Sequence, residues 1–255
     1  MSMKSVLALA AVAAFAVSHA DAAQLKLLVG GAMSEPFREV GADFQKKTGH
    51  TLTFTIDTTG ALQNKLRGGE KADLILVSSP GMDALQKENR IVAGTRVDLG
   101  RAVIGVSVRA GAPAPDISSV DAFKKALLSA RSVSYVDPKA GGTSGTYMAG
   151  LLQRLGIADE VNKKVVFRNQ GSAVADAVAK GEAEIGITFT SEMMPNKGAK
   201  VIGLLPEAIQ SATVYAAAIP VGADNADAAR AFLQEFKSSA AQAAIKKAGL
   251  EPIEQ

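Results

Sequence analysis

Short β-branched runs alternate along this chain with segments of helical period, and that alternation leaves few folds open to it. Leu25–Val29, Thr51–Ile56, Ala72–Val77, Ala102–Val108, Ser132–Val136, Val165–Phe167 and Ile185–Phe189 have the length and composition of strands. Between them Phe37, Val40, Gly41 and Phe44 recur at helical spacing, as do Met148, Leu151, Leu152 and Leu155, and Ala228–Ala248 reads as one further helix. Strand and helix in turn imply an α/β fold, with mainly parallel sheets covered on both faces. An apolar fraction of 47% supplies the core.

The first residues have another purpose. Lys4 precedes an unbroken apolar run from Val6 to Val17, and Ala20 and Ala22 form a small-x-small cleavage pattern, so residues 1–22 read as a signal peptide. The run falls well short of the ~20 residues that span a bilayer, and no later stretch is long enough. The expected product is an exported periplasmic protein with no membrane insertion once the leader is removed. The chain has no cysteine, which removes disulfides, thiolate nucleophiles and cysteine metal sites. His19 lies in the leader, so His50 is left as the one imidazole of the mature chain, in a turn before a strand. No metal or other cofactor is expected. The formal charge of +3 is spread without any block of five basic residues, which speaks against nucleic acid as a partner. Nothing signals an oligomer, and the expectation is a monomer.

The turn-forming run Arg109–Pro115, entered from a strand, marks a break between two lobes, and a second crossing is expected near Thr213–Val221. That gives a first lobe of 23–104 plus 218–255 and a second of 105–217, the ligand cleft lying between them.

Three strand-to-helix junctions carry small hydroxyl residues. Gly30–Pro36 places Ser34 as N-cap and Pro36 in the first turn; the second is Asp57-Thr58-Thr59-Gly60-Ala61; the third is Gly141–Tyr147, with Thr143, Ser144 and Gly145. Free amides and the positive dipole end at such junctions attract anions, and glycines let a ligand approach the backbone. In open α/β sheets the junctions lie at the carboxyl edge of the strands, where ligands bind. Neither glycine loop has the P-loop or dinucleotide spacing.

The same residues, with Lys47–Phe54, Thr58–Leu62, Ala72-Asp73-Leu74, Asp137-Pro138, Thr143–Tyr147 and Gly181–Gly186, resemble the molybdate-binding type of periplasmic solute-binding protein over nearly the whole mature chain. The resemblance implies a type II periplasmic binding fold: two lobes, two crossing strands, and an oxyanion held by hydroxyls and amides. It also implies an inner-membrane ABC permease as partner. Carried over by position, the first-loop serine falls on Ala32, with Met33 and Ser34 beside it. The second-loop serine falls on Thr58 or Thr59, the third-loop donor on Ser144, the next on Gly171 or Ser172, and the family's ligand tyrosine on Phe189. Ala32 and Phe189 carry no hydroxyl, and each missing donor costs a buried oxyanion roughly 1–3 kcal/mol. Those losses favour a larger carboxylate over molybdate.

One branch of such proteins resembles periplasmic aconitate isomerase, in which the cleft would shift a proton within a tricarboxylate. That chemistry needs a base and cationic clamps, and the candidates are Glu192, Tyr147, Arg101, Arg109 and Arg168. Receptor and isomerase both stand as expectations, with a scavenging or sensory binder behind them.

Overall fold

The computed structural model describes residues 22–254 of the chain. Apart from Ala22, the expected leader lies outside them. Among the described residues no helix is long and apolar enough to cross a membrane.

The first sheet follows from the alternation read in the sequence. β1 (Gln24–Gly30) leads through α1 (Ser34–Thr48) to β2 (Thr51–Asp57), and through α2 (Thr59–Arg67) to β3 (Leu74–Ser78), the order being β2-β1-β3 with all pairs parallel. After α3 (Ser79–Lys87), β4 (Val97–Arg109) runs through both lobes: residues 97–103 pair antiparallel with β8 (Ala212–Ala218), and 104–109 join the second sheet. That sheet holds β5 (Val133–Tyr135) parallel to β6 (Ile185–Phe189), with β4 antiparallel to β6 and to β7 (Ala199–Leu204). α4 (Val120–Ser129), α5 (Thr143–Arg154), α6 (Ala158–Asn162) and α7 (Gly171–Ala179) belong to this half, with the short α8 (Thr190–Met193) leaving β6 directly. The chain returns through residues 205–211 to β8, then α9 (Ala226–Glu235), α10 (Ser239–Lys247) and β9 (Glu251–Pro252), which pairs with β4. This is the two-lobed type II fold, parallel where strand–helix–strand units build the sheets and antiparallel where the connecting strands complete them.

Several expectations change in detail. β8 pairs with β3 and the first half of β4, so residues 212–217 belong to the first sheet, and the return crossing precedes them. Val165 makes an isolated bridge to Val133 of β5 and Arg168 one to Val136 just beyond it, leaving Val165–Phe167 short of a strand. The long C-terminal helix is two helices, because Ser238 turns outward and caps α10 through the amide of Ala241. Ser34 caps nothing. A 3-10 turn over Gly31–Met33 precedes it, and Pro36 offers no N–H at the position an N-cap side chain serves. His50 is not simply solvated: Nδ1 accepts from the amide of Ala23 at 2.9 Å.

Both chain ends meet in the first lobe through aromatic packing. Phe37 and Phe44 of α1 contact Phe232 of α9 at centroid distances of 5.8 and 5.1 Å, and Phe37 contacts Phe236 at 4.5 Å. A buried carboxylate adds a second tie, Asp73 accepting from the amides of Lys26 at 2.8 Å and Asn225 at 2.7 Å. Asp73→Ala leaves both donors without their acceptor, so urea denaturation is expected to show a loss of about 3 kcal/mol. An unchanged midpoint would mean that this tie carries no stability.

The crossing itself has an unusual joint. At Ile104, where β4 passes from one sheet to the other, the Gln210 amide bonds both backbone groups: Ile104 N–H donates to Gln210 Oε1 at 3.1 Å, and Gln210 Nε2 donates to the Ile104 carbonyl at 2.9 Å.

Candidate functional site

The starts of α2, α5 and α7 open onto one cleft of about 320 Å³. Thr58 and Thr59 come from the first lobe, with Gly31 and Ser34 beside them; Gly142, Thr143 and Ser144 come from α5; Gln170, Gly171 and Ser172 come from α7. Each start has its own local cause. Thr58 is extended and caps α2 through the amide of Ala61, whereas α5 and α7 begin after Gly142 and Gln170 with no side-chain cap. The first-turn amides of α5 therefore have no capping side chain, and those of α7 have none from the residue before the helix.

The lobes touch at the cleft's lip. Thr58 Oγ1 donates to the Ala140 carbonyl at 2.5 Å, and the Gly60 amide donates to the Gly141 carbonyl at 3.0 Å. A β-carbon on Gly60 would lie 2.8 Å from Gly141 Cα, so only glycine permits this approach.

Glu192 is the distinctive group of the cleft. It follows β6 on the first turn of α8, and its carboxylate accepts from Thr188 Oγ1 at 2.7 Å and from the amides of Gly171 and Phe189. Side chains are excluded around it: a β-carbon at Gly31 would lie 2.7 Å from Oε1, and one at Gly171 would overlap Oε2. Although the residue opens in part onto the cleft, its carboxyl is enclosed by protein, and burial pushes its pKa up to about 7 against those three hydrogen bonds. Thr188 lies in turn 3.2 Å from the hydroxyl of Ser144, so the α5 start, Thr188 and Glu192 form one buried hydrogen-bonded line.

Tyr215 of β8 faces Glu192 from the first lobe. Its ring packs edge-on to Phe189 at 6.0 Å, and its hydroxyl pairs with Thr59 and Thr143, one from each lobe. Burial and the neighbouring Glu192 raise its pKa. Phe189 thus lacks a hydroxyl, but Tyr215, on a strand of the first lobe, supplies one beside its ring. Sequence reasoning missed Tyr215 because Ala216–Ala218 beside it have little strand propensity, so the segment read as a crossing.

Other expected residues lie elsewhere. Ala32 and Met33 are buried in the core beneath the cleft, where the 3-10 turn directs them, and Gly31 lines the wall instead. Gly145 is packed against the Val136 backbone. Tyr147 points away and donates to the Ile209 carbonyl at 2.7 Å. Arg101 is exposed on β4 opposite Val214, and Arg109, at the far end of that strand, lines a separate surface hollow with Arg131 and Glu184. Arg168 pairs with Glu182. The lining contains no lysine or arginine, and four carboxylates reach it: Glu35, Asp57, Asp176 and Glu192. Any anion in this cleft is held by amides and hydroxyls. Among the described residues no group of three or more His, Asp or Glu is placed to hold a metal ion.

Comparison with known proteins agrees with this fold. The chain is 35% identical over 234 residues to an aconitate isomerase of a Pseudomonas species, covering 90% of this chain and 88% of the relative. It is 24% identical over 232 residues to the molybdate-binding protein ModA of Escherichia coli, with 90% of each chain covered. Among solved structures, the periplasmic molybdate-binding protein of Azotobacter vinelandii superposes with a TM-score of 0.73 at 20% identity, over 91% of this chain and all of that one. Residues 25–251 match the model of the bacterial extracellular solute-binding proteins, and this chain belongs to that family.

Proposed function

We propose that this protein works in the periplasm and closes its two lobes on a small organic polycarboxylate. The observation that carries the reading is the cleft itself: three helix starts converge from both lobes on a space of about 320 Å³, the size of a small-molecule site, with hydroxyls from Thr58, Thr59, Thr143 and Ser144 and uncapped first-turn amides at α5. A bare tetrahedral oxyanion suits it poorly. Ala32 is in the core and Phe189 has no donor, while the Glu192 carboxylate already takes the Gly171 amide. A carboxylic acid can instead present a proton, a hydroxyl or a C–H to Glu192 while its other carboxylates take the α2 and α5 starts.

As a receptor, the closed form would dock on an ABC permease. A second reading is favoured by one observation, the carboxyl of Glu192 with its pKa near 7 inside the cleft. Such a group is matched to take and return a proton at neutral pH. In an aconitate-like substrate Glu192 would remove a proton from the methylene carbon. The electron pair then moves through the allylic system, and the same carboxyl returns the proton at the former vinyl carbon, leaving composition unchanged. Thr188 would hold the carboxylate in place, and the amides of α5 with the hydroxyls of the cleft would carry the negative charge that spreads onto the substrate.

Thermal denaturation with trans-aconitate, citrate, tricarballylate, molybdate and sulfate tests the ligand class. Stabilisation is expected from the organic acids alone, and a response confined to the oxyanions would overturn the proposal. Proton NMR of trans-aconitate in heavy water with the protein separates the two readings. The isomerase reading requires the cis isomer to form, with deuterium entering the carbon skeleton only to the extent that the Glu192 carboxyl exchanges with solvent before it returns the proton, whereas a receptor leaves the spectrum unchanged.

A further inference from the structure

Ser191 stands out among the buried polar groups. It is 3% exposed and lines the cleft, yet its Oγ has no hydrogen-bond partner among the described residues. Its neighbours do not behave this way: Thr188 and Thr190 are equally buried and both donate, to Glu192 and to the Gly249 carbonyl. A buried hydroxyl left unpaired destabilises a fold, and native proteins keep few of them.

Ser191 also marks a junction. The cleft shares Glu35, Ser191 and Pro195 with an adjoining hollow between α1, α8 and α10, so the two meet at this residue. That hollow brings the cations the cleft lacks. Lys247 is engaged by Glu39 at 2.9 Å, whereas Lys197 lines the hollow and makes no ion pair among the described residues.

We infer that Ser191 and Lys197 form a second subsite, which receives the outer carboxylate of a ligand whose inner carboxylate lies at the helix starts. The inference rests on the proposed function and deepens it, for it makes the protein a reader of length: an acid must be long enough to pass from the inner amides to the Ser191 hydroxyl. Glu35 on the shared wall repels any anion too short to gain the lysine on the far side. The unpaired hydroxyl is then a cost carried by the free protein and recovered when the ligand arrives.

Isothermal titration of the full mature chain with tricarballylate, and with oxalate as an acid too short to leave the inner cradle, provides the test. Ser191→Ala and Lys197→Gln should each weaken tricarballylate by about tenfold, the size of one charged hydrogen bond, and leave oxalate unchanged. Ser191→Ala without ligand should melt at or above the wild-type temperature, since it removes an unsatisfied buried group. Unchanged tricarballylate affinity in both variants, or equal losses for both acids, overturns the subsite while the polycarboxylate reading stands. If the wild type binds neither acid, that reading fails and the subsite with it.

Discussion

Glu192→Gln is expected to make the ligand-free protein more stable at pH 8 and no more stable at pH 4. The carboxyl has a pKa of about 7 in the folded protein, against an ordinary value of 4.5. Between those values the native state keeps a proton that the unfolded chain has released. Its contribution is therefore complete below pH 4.5 and is lost as the pH rises through 7, a fall of at most about 3 kcal/mol. Glutamine cannot ionise, so the variant should escape the fall, and urea denaturation at pH 4, 6 and 8 would show the two curves separating toward alkaline pH. Parallel curves would mean that the carboxyl is not enclosed as described. If the cleft moves protons, the same substitution should also slow turnover by about 10²- to 10⁴-fold.

Gly60→Ala is expected to cost about 10- to 100-fold in ligand affinity without lowering the melting temperature of the free protein. The added methyl would lie 2.8 Å from the α-carbon of Gly141 and 3.2 Å from its carbonyl oxygen, and backbone cannot rotate aside as a side chain does. The lips must then stay apart, a strain of about 1–3 kcal/mol against closure. Within α2 alone alanine is the better helix former, so the first lobe should not suffer. Titration calorimetry measures the affinity, and X-ray scattering should report a larger radius of gyration for the variant with ligand than for the wild type with ligand. Equal affinity and equal radius would show that the lip contact is incidental.

The strands that build parallel units were legible because their β-branched runs are short and bounded: β1, β2 and β6 lie almost where the composition places them. β8 was not, since four of its seven residues are alanine and its place is won by pairing on both sides with β3 and β4. The helix starts could be read one by one from hydroxyls and glycines. Their convergence on a shared cleft followed from the rule for open α/β sheets, but which starts meet depends on how β4 carries the second lobe across. The arginines failed for a related reason: Arg101 and Arg109 lie eight residues apart on one strand, Arg101 within its first-lobe half and Arg109 at its far end, and neither lines the gap. Glu192 was singled out for its chemistry, but its enclosure depends on Gly31 and Gly171, two bare backbone positions brought together only by folding.

The joint at Ile104 bears on how the lobes part. An ordinary ladder rung fixes the direction of both chains it links, whereas the Gln210 amide reaches Ile104 on a tether of rotatable bonds. It can follow the strand through a small turn and keep both backbone groups paired, while the amide of Leu205, which also donates to the Ile104 carbonyl at 3.1 Å, limits how far the strand can swing. Parting the lips at the opposite rim, by contrast, would break the bonds that Thr58 and Gly60 make to residues 140–141.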